Sequence, residues 1–173
     1  LGIAKAALSA GAKIYENSAA TSYKVFDDHV RVTTKNGSVK ADRIVLACNG
    51  YLGNLEKSLA SKILPMNNYI VATKPLDDET VQKINPKDIA FADSRFVINY
   101  FRMSADKRLL FGGGENYSQE LSKNIVPIVT RPLEKIYPFL KGVKIDYAWG
   151  GKLAITMNRL PFFKTLKNER VIS

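Results

Sequence analysis

The spacing of apolar and polar positions changes several times along this chain. Leu1 to Ala10 is rich in Ala, Leu and Lys and is followed by Gly11, which predicts a helix closed by the residue that takes the left-handed conformation at least cost. Ala12 to Tyr15 predicts a short strand, and Thr21–Phe26, His29–Thr34 and Ile44–Cys48 predict three more, with Asn36-Gly37 between them as a type I′ hairpin signal. Val30, Val32 and Thr34 fall on one side of their run and Arg31 and Thr33 on the other, the pattern of a half-buried strand. Ile44–Cys48 does not alternate. A continuous apolar run ended by Asn49-Gly50 predicts a strand covered on both faces, as in a parallel sheet.

Leu55 to Ile63 predicts a short helix ended by Pro65. From Asn68 the texture turns to longer, aromatic-rich runs, Tyr69–Thr73, Arg95–Met103, Arg108–Phe111 and Lys144–Trp149, interrupted by a helical segment over Ile125–Tyr137 that carries Pro132. Residues 65–150 therefore read as a mostly antiparallel sheet with a helix against one face, and the whole chain as a mixture of α/β and α+β. No repeat occurs at the spacings of solenoid proteins.

With 173 residues, 46% hydrophobic and 24% charged, the composition is that of one or two small globular domains. No apolar run approaches the roughly 18 residues that span a bilayer, and the N-terminus lacks the order of a signal peptide, so a cytoplasmic protein without a membrane span is expected. A start inside a helical pattern, with neither cap nor initiator Met, reads as a piece of a larger protein. One cysteine permits no internal disulfide, and with one histidine it cannot supply an ordinary zinc set, so no metal is expected. That histidine, His29, follows Phe26-Asp27-Asp28 and reads as a solvated loop residue rather than a base. An enzyme with this inventory needs a cofactor for the hard chemistry.

The net charge of +10 raises nucleic acid as a partner. The lysines are scattered, without a run of like charges or a basic face interleaved with aromatics, which favours a solvated basic surface and leaves a nucleic-acid-binding module as the alternative from another class. Gly112-Gly113-Gly114 could bring backbone amides close to a ligand, but a glycine-rich bend or bulge is the favoured reading, since neither a phosphate loop nor a Gly-x-Gly-x-x-Gly is present. Ile145, Tyr147 and Trp149 are placed on one face of their run, and Ile98, Tyr100 and Arg102 on one face of theirs; such aromatic stripes favour a core role. Arg102, set among aromatics in a strand, calls for an anionic partner, either a structural carboxylate or that of a ligand.

Three earlier segments, Gly11 to Asn17, Ala41 to Leu52 and Tyr69 to Thr73, resemble the middle of a flavin-dependent amine or amino-acid oxidoreductase of the D-amino-acid oxidase superfamily. Tyr100 to Asp106, Leu110 to Gly113 and Asp146 to Pro161 look like its gamma-glutamylputrescine oxidoreductase branch, and the resemblance covers essentially the whole chain in order. It implies an internal fragment of a protein that holds FAD, with residues 1–64 part of a Rossmann-like FAD-binding domain, 65–150 a substrate domain and 151–173 a return into the first. The glycine-rich pyrophosphate loop would precede Leu1, and a last flavin-contacting segment would follow the strand Arg170–Ile172. The implied reaction is oxidation of a C–N bond in a small-molecule amine, with imine hydrolysis and reoxidation by oxygen or another acceptor, as in putrescine catabolism. A sarcosine- or glycine-type oxidase or dehydrogenase is the alternative within the family, and a catalytically inactive scaffold is a third reading.

Position by position, the resemblance assigns FAD contacts to Ala20, where relatives usually have valine, to the turn Ala47, Cys48, Asn49 and Gly50, and to Gly151 and Leu153 in the segment beside the flavin ring. Asn49 stands where many relatives have glycine. Leu153 stands where relatives that bind a free amino acid commonly carry an arginine for its carboxylate, which argues for an amine whose anionic end, if present, is met elsewhere. Tyr100, Arg102, Trp149 and Arg159 are the candidates for binding substrate, and the flavin rather than a side chain is expected to carry the catalysis.

Overall fold

The structure is a computed structural model that describes residues 2–166 and 169–173; Leu1, the first position of the expected helix, lies outside the described residues. The chain begins with α1 (Gly2–Ser9), β1 (Ala20–Val25), β2 (Val30–Thr34), β3 (Gly37–Ala41), β4 (Ile44–Val45) and α2 (Lys57–Ala60). It continues through β5 (Ile63–Thr73), α3 (Asp78–Ile84), β6 (Phe91–Ala92), β7 (Tyr100–Met103) and β8 (Leu109–Asn116). It ends with α4 (Val126–Ile136), β9 (Ile145–Thr156), β10 (Thr165–Leu166) and β11 (Val171–Ile172). The class is mixed α and β, as the sequence pattern predicts. Two units form, residues 1–48, 52–61 and 160–173 in one and residues 49–51 and 62–159 in the other.

In the first unit, β1, β2 and β3 form an antiparallel meander, with the fully buried Val30 opposite Val25 and Ala41. Thr34 pairs with Gly37, so the hairpin turns on Lys35-Asn36, and neither residue has positive φ. The expected type I′ turn is therefore not formed, because it requires positive φ at both central residues. Gly37 instead opens β3, a strand the alternation did not reveal. β4 pairs in parallel with β11, and β11 is antiparallel to β10. The apolar run expected to be covered on both faces is reduced to two paired residues with Val45 64% exposed, because among the described residues β4 has only β11 beside it. Ala12–Tyr15 is exposed coil rather than a strand; no ladder partner pairs with it among the described residues, and a strand needs one to satisfy its backbone. The Phe26 amide donates to the His29 carbonyl oxygen, and this tight turn folds the imidazole flat on the Phe26 ring with centroids 4.4 Å apart. The His29 side chain is only 12% exposed, which corrects the solvated-loop expectation.

The expected helix over Leu55–Ile63 shrinks to α2, capped by the Glu56 carboxylate on the Ser58 amide, and Pro65 lies inside β5 instead of ending a helix. Proline is tolerated there because β5 has β9 on one side and no strand on the other until β8 begins to pair at Asn67.

The second unit is a five-stranded sheet, ordered β6-β7-β8-β5-β9, with every pair antiparallel. The strand expected from Arg95 starts only at Tyr100, since the Asp93 carboxylate accepts from the amides of Arg95 and Asn99 and from Asn99 Nδ2 and so holds 93–99 as a loop. α4 packs on one face of the sheet through Val129 and Leu133, against Tyr69, Val71, Leu109 and Phe111, all fully buried. Burying each such side chain contributes roughly 1.5–3 kcal/mol. Phe101 adds a ladder of rings, stacked 5.0 Å from Phe91 and 5.5 Å from Phe111. The polar groups that enter this core are partnered: Tyr69 Oη accepts from Asn116 Nδ2 and the Ser122 amide, and buried Asn67 donates to the Ser118 and Glu120 carbonyls.

Candidate functional site

Strand alternation sends Tyr69, Val71, Phe101 and Phe111 toward α4, so their neighbours in sequence point to the other face. Register places Tyr100, Gly112, Ile70 and Trp149 in one row across that face, and Arg102, Leu110, Ala72 and Tyr147 in the next. Trp149 is 44% and Tyr147 59% exposed. The aromatic stripe of β9 is thus not core, contrary to the sequence expectation. Ile145, meanwhile, packs on the α4 side. The cause is a bulge: Thr73 pairs with Ile145 and Ala72 with Tyr147, so Asp146 is an extra residue that inverts the alternation between them. Arg108 holds this bulge, donating to Asp146 Oδ2 at 2.6 Å and to the Thr73 carbonyl at 2.9 Å.

Each glycine of the 112–114 run has its own steric reason. A Cβ on Gly112 would lie 2.1 Å from Tyr100 Cζ, because the Tyr100 ring lies across β8 and its hydroxyl donates to Asn68 Oδ1 on β5 at 2.5 Å. A Cβ on Gly113 would lie 2.8 Å from Asn99 Oδ1. Gly114, at φ +76°, is the extra residue of a second bulge between the pairs Asn68–Glu115 and Tyr69–Gly113. The run is a bulged strand segment, the reading favoured on sequence grounds, although it lies within β8 rather than at a strand end. Burial pushes the Tyr100 phenol pKa up, so it keeps its proton at neutral pH and commits it to Asn68. The lone pairs of the same oxygen remain available to a donor.

Arg102 makes one hydrogen bond, from Nε to the Met103 carbonyl oxygen, and no ion pair among the described residues. Of the two anionic partners left open by the sequence, a structural carboxylate is not the one found. Arg159, at φ +58°, stacks its guanidinium 4.5 Å from the centre of the exposed Phe96 ring, past the end of β9.

Three consecutive residues of a 3-10 turn, Asn49–Tyr51, dock on consecutive residues of β9. Asn49, in the left-handed region at φ +50°, accepts the Ala154 amide on Oδ1 at 2.8 Å. Gly50 is buried so closely that a Cβ would lie 2.8 Å from Lys152 Cβ and 2.9 Å from the Leu153 carbonyl oxygen. Tyr51 Oη accepts the Lys152 amide at 3.0 Å. The sequence-derived candidates Asn49 and Gly50 are thereby brought together with Gly151 and Leu153. Ala20, exposed at the start of β1, and Ala47 and Cys48, beyond β4, belong to the first unit; Cys48 is half-buried, and burial pushes its thiol pKa up. Sequence reasoning missed Asn68 and Tyr51. Neither carries a motif; only the pairing register and a contact 101 residues apart in sequence reveal them. No group of three or more His, Cys, Asp or Glu placed to hold a metal occurs among the described residues.

Comparison with known proteins agrees with this architecture. A family model described as FAD dependent oxidoreductase (DAO) matches residues 1–172. A probable oxidoreductase, OrdL, of Rhizobium meliloti is 43% identical over 162 residues, 94% of this chain and 37% of its own length. A gamma-glutamylputrescine oxidoreductase of Escherichia coli is 36% identical over 157 residues, 90% of this chain and 37% of its own. The chain thus spans a little over a third of the curated relatives it matches. Among solved structures, glycine oxidase from Geobacillus kaustophilus superposes with a TM-score of 0.75 at 19% identity, covering 98% of this chain and 45% of the other, a likeness of fold.

Proposed function

Since the chain belongs to the FAD-dependent oxidoreductase (DAO) family, we propose that the full-length protein oxidises a C–N bond of a small amine of the gamma-glutamylputrescine kind. The observation that carries this reading is the open sheet face, where Arg102 has no carboxylate partner among the described residues, beside an aromatic row, and where Leu153, not an arginine, occupies the edge strand. The residues fit the family's cofactor. Gly151, where a Cβ would meet nothing closer than Tyr51 Oη at 3.5 Å, lies between the exposed apolar side chains of Trp149 and Leu153, a flat strip suited to a planar ring. Asn49, Gly50, Gly151 and Leu153 would hold it. FAD supplies the hydride acceptor, and the imine product is hydrolysed by water.

The side chains bind and orient the substrate. Tyr100 Oη, its proton committed to Asn68, accepts an N–H of the neutral amine; Arg102 meets an anionic end; Trp149 gives the apolar stem a wall. Arg159 is the second candidate for the anion, competing with its stack on Phe96. The lone cysteine suits a cytoplasmic protein, and no helix among the described residues is long and apolar enough to cross a membrane. Oxygen or a carrier completes the cycle.

The test is an anaerobic absorbance spectrum of the full-length protein before and after adding gamma-glutamylputrescine. Bleaching of the flavin band supports the proposal. Bleaching by sarcosine or glycine alone would move the substrate to free amino acids, and a protein that takes up no FAD would overturn the reading.

A further inference from the structure

We infer that Asn49 is a positioning residue for the flavin-facing strip of β9, acting through its side-chain bond to the Ala154 amide; this rests on the FAD site proposed above. β9 is the last strand of its sheet, with β5 on one side only. An edge strand leaves every second amide without a ladder partner and is free to shift or fray. Here the two edge amides that flank Leu153 are taken by side chains: Ala154 by Asn49 Oδ1 and Lys152 by Tyr51 Oη. Between them Gly50 lies against Lys152 and Leu153 with no room for a methyl group. The turn thus takes the place of a sixth strand over the segment that would face the cofactor, and it fixes how far Gly151 and Leu153 stand from anything lying on them.

Asn49 meets two separate demands. Its backbone is left-handed, a conformation open to glycine and tolerated by Asn and Asp, and its side chain supplies the acceptor. Substitutions separate them. Asn49→Gly keeps the backbone conformation and removes the acceptor, whereas Asn49→Asp keeps both. Tyr51→Phe removes the neighbouring acceptor and leaves Asn49 intact.

The experiment uses full-length protein and reads amide hydrogen exchange at Ala154 in the apoprotein, FAD dissociation by fluorescence, and the flavin absorption envelope and midpoint potential. Asn49→Gly should speed exchange at Ala154 about tenfold and weaken FAD about fivefold, the loss of one hydrogen bond, with a changed flavin envelope. Asn49→Asp should restore all of these to within about twofold, and Tyr51→Phe should speed exchange at Lys152 while leaving Ala154 protected and weaken FAD in the same direction, a second readout of the turn's hold on β9 if Asn49→Gly fails to fold. Unchanged exchange at Ala154 would overturn the contact. Faster exchange with unchanged FAD affinity, envelope and potential would overturn the positioning role and leave a structural one. Wild-type protein that binds no FAD would remove the cofactor site and this role with it, a failure the wild-type control separates from the other two.

Discussion

Tyr100 on β7 reaches over Gly112 on β8 to donate its hydroxyl to Asn68 on β5, so one ring ties three strands together on the face opposite α4. The tie depends on an absent side chain. Alanine at 112 would place its methyl inside the ring, which must then lift away and release Asn68.

Gly112→Ala should therefore lower stability by about 1–3 kcal/mol, the usual cost of overpacking, and raise the KM for the amine. Gly151→Ala offers the contrast, since its added methyl meets only Tyr51 Oη at 3.5 Å. Its thermal midpoint should hold or rise slightly, while FAD retention falls. Paired melting curves and flavin titrations of the full-length variants distinguish the two.

Arg102→Leu should leave stability within about 0.5 kcal/mol, because the residue is exposed and forms no ion pair among the described residues. If Arg102 meets a substrate anion, KM rises about tenfold to a hundredfold with little change in kcat. Steady-state kinetics with gamma-glutamylputrescine and with an amine lacking the carboxylate measure the difference; equal losses for both would retire the role.

Acid should loosen the bulged end of β9. Hydrogen bonds from Arg108 and then Lys144 hold the Asp146 carboxyl below its ordinary pKa, and those from Ser104 and then Arg108 do the same for Asp106. Lowered folded values mean that the unfolded chain binds more protons in acid. The contribution is complete above the ordinary aspartate value of about 3.9 and is lost as pH falls through the lower folded values. Thermal midpoints followed down through pH 4 should decline, and Asp146→Asn should flatten part of that decline while lowering the midpoint at pH 7.

His29→Phe should keep or raise the thermal midpoint. The imidazole is stacked on Phe26 and its Nε2 is buried without a partner among the described residues, so a phenyl ring preserves the stack and removes an unsatisfied acceptor or donor. The bond between Nδ1 and the exposed Asp28 offsets part of the gain. A drop of more than about 2 kcal/mol in chemical denaturation would show that this bond outweighs the orphaned nitrogen.

The elements legible in the sequence are those fixed by local periodicity: α1, the β1–β2 pair, α4 and the aromatic strands of the second unit. What escaped depends on partners far along the chain. Ala12–Tyr15 ends in two strand-forming residues, Ile14 and Tyr15, and has no ladder among the described residues, and Pro65 looks like a helix stop until β8 is seen to begin pairing only at Asn67. For the site, resemblance marks Asn49, Gly50, Gly151 and Leu153 as belonging to one cofactor, but the bond from Ala154 to Asn49 spans 105 residues and has no local signature. Arg102 was recognisable as a cation in want of an anion; that no carboxylate of its own sheet answers it is known only from the fold.

Asp146 gives β9 two reading frames. Up to Ile145 the odd residues face α4, and from Tyr147 onward the odd residues face away from it. Deleting this single aspartate would merge the frames: with the register beyond it held, Ile145 would leave the core, and with Ile145 held, Tyr147, Trp149 and Leu153 would turn inward and carry Gly151 with them. When relatives are aligned across this strand, a one-residue gap here matters more than many substitutions, because it changes which side of the sheet each later side chain serves.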